Sequence, residues 1–180
     1  QAHLRHQRAT VTVLPLHGGL SVVIQTPDLR RPLLLDCGNT NAYESVLRPF
    51  LHAQGCDGVK ALWLTHGDLR HMGAALQVLE EFRPASIGVS PVTFRSAAYR
   101  SVVQYASAGA TSLRTWQRGD RFSCWTVLHP PGDMKVQRAD DAPLVLRGEI
   151  RGTTVLLLSD LSRPGQRALM DGTEPGQLRA

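Results

Sequence analysis

The chain has 180 residues and a formal net charge of +5, from 20 lysines and arginines against 15 aspartates and glutamates. This length suits one domain with a hydrophobic core and is too short for two full domains. A hydrophobic fraction of 42% excludes intrinsic disorder as the main state, and no run of 18 apolar residues predicts a membrane span. Residues 1–8 are polar, without an initiator Met or a signal-peptide core, so we expect a tail, a single domain over 9–180, and a piece of a longer protein.

Arginine supplies almost all of the basic excess, since lysine occurs only at positions 60 and 135. Arginine suits bidentate contacts with phosphate, although the codon bias of a GC-rich genome would produce the same excess. The arginines form no continuous run, so the charge permits a nucleic-acid surface without predicting one. Three widely spaced cysteines and the absence of Cys-x-x-Cys argue against a zinc knuckle or a disulfide framework.

The hydrophobic pattern predicts strands and helices along the whole chain. Strands are predicted over 10–14, 21–25, 33–36, 61–64, 86–89, 113–115, 122–128, 144–150 and 153–158. Helices are predicted over 43–54, 72–82, 96–108 and 163–170. A Gly-rich turn beginning at His17 joins the first two strands. Asn41 and Glu44 form a capping pair for the first helix, which Pro49 should kink or shorten. This order of elements predicts a layered α/β (α+β) protein with mixed sheets.

A cluster of polar residues follows the buried strand at 61–64. His66, Asp68 and His71 lie within six residues, at the junction of this strand and the next helix. Imidazole and carboxylate groups are ligands of divalent metals, and a tight loop can bring alternate side chains to one point. Chance and ordinary loop polarity also produce such sets, so the spacing alone does not establish a metal site.

A second carboxylate, Asp160, ends the apolar run that begins at Thr154. It is a candidate ligand that bridges metal ions. Alternatively, Asp160 or Ser162 is the N-cap of the helix that follows. His129, before two prolines, is likewise either a ligand or a histidine that closes a strand end.

Several motifs occur along the chain in a fixed order. They are the hairpin over 14–24, the strand ending in Asp36-Cys-Gly38, the signature over 64–74, Leu128-His-Pro-Pro131, the segment over 140–146, and Ser159-Asp160. In this order they resemble the metallo-β-lactamase fold. More narrowly, they resemble the soluble domain of ComEC-type DNA-uptake channel proteins of natural competence.

The resemblance implies a four-layer αββα sandwich that is truncated at its C-terminus and therefore has an incomplete sheet edge. It implies that the domain belongs to an integral membrane protein and lies on its extracytoplasmic side. The implied partners are DNA and the transmembrane channel portion of the parent protein, while the oligomeric state stays open. The implied cofactor is one divalent metal, Mn or Zn, or none.

The resemblance also assigns roles to the site residues. His66, Asp68, His71 and Asp160 match metal ligands of the family, and Asp68 and Asp160 match its catalytic carboxylates. Asp141, or its neighbour at 140, is a further candidate ligand. A supporting role falls to Asp36, which would hold the His66 loop, and to Gly38 beside it.

The chain departs from the family at two ligand positions. Arg70 stands where the signature has an Asp, and a guanidinium repels a cation and cannot lose its proton in a protein. No His follows Asp160, whereas the family has a His-His-Gly motif there. The second metal site therefore lacks two expected ligands.

Three functions follow as hypotheses. In the first, the domain has a degenerate metal site with weak or no hydrolysis and serves a structural or DNA-guiding role. The Arg70 guanidinium would then take the place of the second metal and pair with Asp160 or Asp68. In the second, the domain is an active single-metal nuclease. In the third, it is a metallo-hydrolase of a small ester, unrelated to DNA.

Overall fold

The structure is a computed structural model that describes residues 8–16, 19–109, 111–136 and 138–179. Its strands are β1 Thr10–Leu16, β2 Gly19–Gln25, β3 Leu33–Leu35, β4 Ala61–Leu64, β5 Ser86–Val89, β6 Ser112–Thr115, β7 Arg121–Phe122, β8 Trp125–His129, β9 Val145–Ile150 and β10 Thr153–Leu157. Its helices are α1 Thr40–Ala53, α2 Leu69–Met72, α3 Ala75–Phe82, α4 Ala97–Ser107 and α5 Arg163–Asp171, with 3-10 turns at Ala139–Asp141 and Pro175–Leu178. The predicted turn at residues 17–18 and the tail over 1–7 lie outside the described residues.

The strands form two mixed or antiparallel sheets. The six-stranded sheet has the order β1-β2-β3-β4-β5-β6, in which β1 to β3 are antiparallel and β3 to β6 are parallel. The four-stranded sheet has the order β10-β9-β8-β7 and is antiparallel throughout. The edge strand β10 has only exposed or half-buried residues. Since parallel neighbours need crossover connections, α2 and α3 lie between β4 and β5, and α4 lies between β5 and β6.

Alternation of side chains along the strands divides the core into layers. In β4, Leu62 and Leu64 face the helices α1 to α4, whereas Ala61 and Trp63 face the second sheet. Val145 in β9 contributes to a third, smaller cluster that includes Leu169 of α5. Because successive strand residues point to opposite faces, one apolar run can serve two interfaces. The predicted four-layer αββα arrangement is confirmed, and Trp63, Trp116 and Trp125 are buried between the two sheets.

The first helix differs from its prediction at its start and in its middle. Its N-cap is Asn39, whose side chain accepts a hydrogen bond from the Ala42 N–H, so the predicted capping pair of Asn41 with Glu44 is wrong. A π-helical turn over Tyr43–Leu47 interrupts the α-helix just before Pro49. Proline has no N–H to donate and its ring crowds the preceding turn, which accounts for the widened turn. The helix still continues to Ala53, so Pro49 does not shorten it as predicted.

Two other boundaries also differ from the predictions. The helix predicted over 72–82 already begins at Leu69 and is divided at Gly73 into α2 and α3. The single strand predicted over 122–128 is instead a hairpin of β7 and β8, in which Phe122 pairs with Trp125. Ser123 at this turn has a φ of +52°, a left-handed conformation that reverses the chain within an apolar run. In the described part of the chain, no helix has both the length and the apolar character that a bilayer span requires.

A polar cluster joins α1 to α3 at the surface. Glu81 accepts hydrogen bonds from the Tyr43 hydroxyl at 2.6 Å and from Arg48 Nε at 3.0 Å, and its Oε1 lies 2.7 Å from His52 Nε2. Partial burial would raise the pKa of Glu81, but the hydrogen bonds from Tyr43, His52 and Arg48 outweigh it and lower this pKa to about 2.

We expect the contribution of Glu81 to stability to disappear in acid. A carboxylate with a lowered folded pKa stabilises the fold above its unfolded pKa, here about 4.5, and this contribution is lost as the pH falls towards 2. Glu81→Gln should lower the free energy of unfolding by about 1 kcal/mol at pH 7, a value reduced by solvent exposure, and by only about a quarter of that near pH 2.5. Urea unfolding at both pH values tests this, with the exposed Glu80→Gln as control; an equal loss at both would contradict it.

Candidate metal centre

Three side chains from distant parts of the chain converge beyond the end of β4. Ligand atoms of His66, His71 and Asp160 all lie within 4.8 Å of one another. His66 follows β4, His71 lies in α2, and Asp160 follows β10 of the other sheet. The two imidazole rings are buried, with centroids 4.0 Å apart, and Asp160 is exposed. The packing of the two sheets therefore brings together candidate ligands from distant positions, since His66 and Asp160 are 94 residues apart in the sequence.

Asp36 is the buried acceptor that orders this cluster. Its Oδ1 accepts a hydrogen bond from the Thr65 N–H at 2.7 Å, and its Oδ2 accepts one from the Thr65 hydroxyl at 2.7 Å. The same Oδ2 lies 2.9 Å from Nδ1 of His71. Asp36 has a φ of +57°, a left-handed conformation that Asp tolerates better than most residues. One carboxylate thereby fixes both the loop before His66 and the ring of His71.

This hydrogen-bond network determines which ring nitrogen of His66 carries hydrogen. The Thr65 hydroxyl has one hydrogen, and it donates that hydrogen to Asp36, because a carboxylate can only accept. Nδ1 of His66, 2.9 Å from the same hydroxyl, must therefore donate to it. In the neutral ring, Nε2 then carries a lone pair. Within the described part of the chain, this Nε2 is buried without a hydrogen-bond partner, and Oδ1 of Asp140 lies 3.5 Å from it.

The ring of His71 is oriented like that of His66, with its Nδ1 towards the hydrogen-bond network. Its Nδ1 faces Asp36, and its Nε2 lies 3.1 Å from Oδ2 of Asp160. If a neutral His71 ring donates its Nδ1 hydrogen to Asp36, its Nε2 and the Asp160 oxygen are both acceptors. A proton or a metal ion is then needed between these two atoms. Burial lowers the pKa of His71, but hydrogen bonds and charges from Asp36 and Asp160 outweigh it and raise this pKa. By contrast, burial and the charge of His71 lower the pKa of His66.

The donor set fits one divalent cation. Two imidazole Nε2 atoms and a carboxylate form a mixed nitrogen and oxygen set. Asp140 lies outside this three-residue group, with its Oδ1 3.5 Å from Nε2 of His66. Histidine ligands in metalloproteins donate their other ring N–H to a carboxylate or a hydroxyl, as His71 and His66 do here to Asp36 and Thr65. Such a ligand role would explain why Nε2 of His66 is buried without a hydrogen-bond partner among the described residues.

Asp68 and Arg70 lie beside the cluster and bind each other. The Asp68 carboxylate is the N-cap of α2, accepting from the Arg70 N–H at 2.8 Å, and it lies 2.9 Å from Arg70 Nη2. Hydrogen bonds from Arg70 lower the pKa of Asp68. The sequence analysis left Asp160 and Asp68 as alternative partners of Arg70, and the guanidinium contacts Asp68. The structure therefore places Asp68 outside the three-residue cluster, and its ligand and catalytic roles stay predictions.

The carboxylates near residue 140 have separate tasks. Asp141 accepts hydrogen bonds from the Arg138 N–H at 3.0 Å and from the Ser162 hydroxyl at 2.7 Å, which ties the 3-10 turn to the start of α5. Asp140, not the predicted Asp141, is the one that faces His66. Ser162 is the N-cap of α5, so the N-cap alternative for Asp160 is wrong.

His129 and Gly38 stabilise the surroundings of the cluster. His129 is buried and its Nε2 lies 2.9 Å from the backbone oxygen of Asp141, so it closes a strand end as one alternative predicted. Gly38 has a φ of +71°, donates its N–H to the His71 carbonyl and accepts from the Ala74 N–H. A Cβ on Gly38 would lie 2.6 Å from the Leu16 side chain, so only glycine fits there.

Thr65 and Ser159 are site residues that we did not single out from the sequence. Thr65 shares its hydroxyl with Asp36, His66 and, at 2.9 Å, the Ser159 hydroxyl. A signal for Thr65 existed, because it directly precedes His66 at the end of a buried strand. No comparable signal existed for Ser159, which is brought there by the packing of the two sheets.

The family model of the metallo-beta-lactamase superfamily matches residues 14–178, which is most of the chain. The chain belongs to this superfamily. Members of the superfamily generally bind divalent metals, in agreement with the donor set described above.

A curated relative of this metallo-beta-lactamase domain is similar over most of the chain. ComE operon protein 3 of Bacillus subtilis (strain 168) is 26% identical over an alignment of 180 residues, which covers 89% of this chain. The chain spans only 23% of the length of that protein.

Two solved structures share the fold. A HARLDQ-motif mutant of a metallo-beta-lactamase from Cronobacter sakazakii gives a TM-score of 0.57 at 14% identity, over 81% of this chain and 59% of that one. Metallo-beta-lactamase SMB-1 bound to 2-mercaptoethanesulfonate gives 0.54 at 13% identity, with the same coverage of both chains. At these identities the likeness shows the fold alone.

Proposed function

We propose that this metallo-beta-lactamase domain holds a single divalent cation, Mn²⁺ or Zn²⁺, and hydrolyses phosphodiester bonds of DNA slowly. The observation that carries this proposal is the convergence of the His66 and His71 Nε2 atoms on Asp160, with the His66 nitrogen buried and unpartnered. A bound divalent ion would act as a Lewis acid towards a phosphate oxygen and would lower the pKa of a coordinated water.

The residues of the chain would supply ligands, orientation and exclusion of water. His66, His71 and Asp160 would hold the ion, with Asp140 as a fourth ligand. Asp36 and Thr65 keep the hydrogens of both rings on Nδ1, so that both Nε2 lone pairs stay available. Burial of both rings keeps water from competing for these nitrogens.

The presence of Arg70 supports one ion rather than two. It stands at the signature position where the resembling family has an Asp, and it holds Asp68 in an ion pair at 2.9 Å. Among the described residues, the cluster that could bind a metal contains only three side chains. The proposed site is thus degenerate relative to a two-metal site, yet it retains a donor set sufficient for weak hydrolysis.

The proposed setting is a ComEC-type DNA-uptake protein. Its support is the identity with ComE operon protein 3, the order of the sequence motifs, and an arginine-rich chain with a net charge of +5. DNA would be the partner, together with the channel portion of a parent membrane protein, and the domain would lie on the extracytoplasmic side. A purely structural or DNA-guiding domain and a hydrolase of a small ester are the competing outcomes.

We expect metal titration of the purified domain to give one tightly bound Mn²⁺ or Zn²⁺ per chain. With that ion, the domain should cleave bis(p-nitrophenyl) phosphate and single-stranded DNA, and its DNA affinity should fall steeply with salt. Metal analysis, calorimetry and a cleavage assay measure these three quantities. Failure to bind an ion at stoichiometric level would favour the structural role. Hydrolysis of small esters without salt-dependent DNA binding would favour the third hypothesis.

A further inference from the structure

Arg70 is fixed by its backbone beside the candidate metal centre, because it directly precedes His71 in α2. Its N–H donates to Oδ1 of Asp68 at 2.8 Å, and the next residue is the ligand candidate His71. The β1–β2 hairpin packs against it so closely that a Cβ on Gly19 would lie 2.1 Å from the Arg70 carbonyl oxygen. Its side chain, in contrast, is 54% exposed. A rigid base therefore carries a guanidinium that solvent and solutes can reach.

The guanidinium of Arg70 has one edge engaged and one edge open. Nε lies 3.3 Å from Asp68 Oδ2, and Nη2 lies 2.9 Å from the same oxygen, so Asp68 occupies the side edge. Nη1 has no hydrogen-bond partner in the described part of the chain. The end edge, formed by Nη1 and Nη2, can thus take the two oxygens of a phosphate in the bidentate manner that arginine favours.

The net charge of the site favours a free cationic group next to it. The Arg70 guanidinium pairs with Asp68 at 2.9 Å, at the start of helix α2. The site contains four carboxylates, those of Asp36, Asp68, Asp140 and Asp160. Together with a divalent ion and Arg70 they would give a net charge of −1. Without Arg70 the net charge would be −2, and an anionic phosphodiester would be repelled more strongly.

We infer that Arg70 is the phosphate-binding residue of this site, taking the charge role that a second metal ion would have. The inference rests on the proposed function. Asp68 would act as a positioning residue, because it holds the guanidinium side edge and turns the end edge towards the entering anion. The same substitution that removes a metal ligand would thereby supply a fixed cation that binds substrate.

The test uses inorganic phosphate as the probe on the Mn²⁺-loaded domain. Arg70→Ala should weaken phosphate binding about tenfold or more, because charge-assisted hydrogen bonds are lost, and should raise KM for bis(p-nitrophenyl) phosphate by a similar factor. The number of Mn²⁺ ions per chain should stay at one. Arg70→Lys, which keeps the charge but loses the fork, should recover only part of the affinity.

The control is Arg151→Ala, at the β9–β10 turn and therefore at the opposite end of β10 from Asp160. It should change phosphate affinity by less than about twofold, since exposed charges separated by more than a Debye length are largely screened. Phosphate affinity within about twofold of the wild type in Arg70→Ala, with Mn²⁺ still bound, would overturn the inference and leave the proposed function intact. Loss of Mn²⁺ from Arg70→Ala would also overturn it, because the guanidinium would then serve the cluster. A wild-type domain that binds no ion would remove both.

Discussion

Asp36→Ala should lower the free energy of unfolding of the metal-free domain by about 3–5 kcal/mol, the range expected when one partner of a buried charged network is removed. The Thr65 N–H, the Thr65 hydroxyl and the Nδ1–H of His71 would all lose their acceptor inside the protein. Alanine would also have to adopt a φ of +57°, which Asp tolerates better. Urea unfolding in the presence of a chelator measures the change.

Asp36→Asn separates this structural role from metal affinity. The amide keeps an oxygen for the Thr65 N–H and tolerates the left-handed backbone, so we expect a smaller loss of stability than in Asp36→Ala. Its NH₂ group would meet Nδ1 of His71 as a second donor, which favours the hydrogen on Nε2 instead. Metal affinity should then fall about 10- to 100-fold, as for loss of a supporting partner.

The matched control for both variants is Asp57→Ala. Asp57 is 83% exposed and forms a surface ion pair with Arg31 at 3.5 Å, so its removal should change stability by less than about 0.5 kcal/mol. Equal metal affinity in Asp36→Asn and the wild type would contradict the view that this carboxylate sets the hydrogen positions of the ligand rings.

The layered core could be predicted because its cause is local. Each strand residue points away from its neighbour, so Leu62 and Trp63 necessarily serve different interfaces once β4 is buried on both faces. The position of His66 could be predicted as well, because a polar residue two positions after the end of a buried strand lies at the edge of the sheet. The backbone conformation of single residues could not be predicted, such as the left-handed φ of Ser123, which separates β7 from β8. Serine has no particular preference for that backbone region.

The interior of the candidate metal centre could be predicted only in part. His66, His71 and Asp160 were chosen as candidate ligands, and the structure brings them together. The choice between Asp140 and Asp141 depends on the orientation of a single 3-10 turn, where Ser162 and Arg138 take up Asp141. Adjacent carboxylates differ in role only through contacts that are distant in sequence. The contact between Thr65 and Ser159 arises in the same way, from residues 94 positions apart.

His66→Asn should leave the metal-free domain nearly as stable as the wild type and remove most of its metal affinity. An asparagine amide can reach the Thr65 hydroxyl as Nδ1 does, but it has no atom at the position of Nε2. Loss of ring volume costs about 1 kcal/mol, and removal of a buried nitrogen without a partner offsets a similar amount. We therefore expect a net change below about 1 kcal/mol in chelator.

The metal-bound state should show the opposite result. At 100 times its Kd, an ion stabilises the wild type by about 2.7 kcal/mol. The variant should lose this stabilisation, because its affinity should fall by more than the roughly 100-fold that loss of a supporting partner can cost. Thermal unfolding with and without Mn²⁺ measures both states. His52→Asn, at a surface position on α1, should keep the full response to Mn²⁺. If His66→Asn also keeps it, the ion binds elsewhere and the unpartnered Nε2 needs another explanation, since a buried acceptor without a ligand only costs stability.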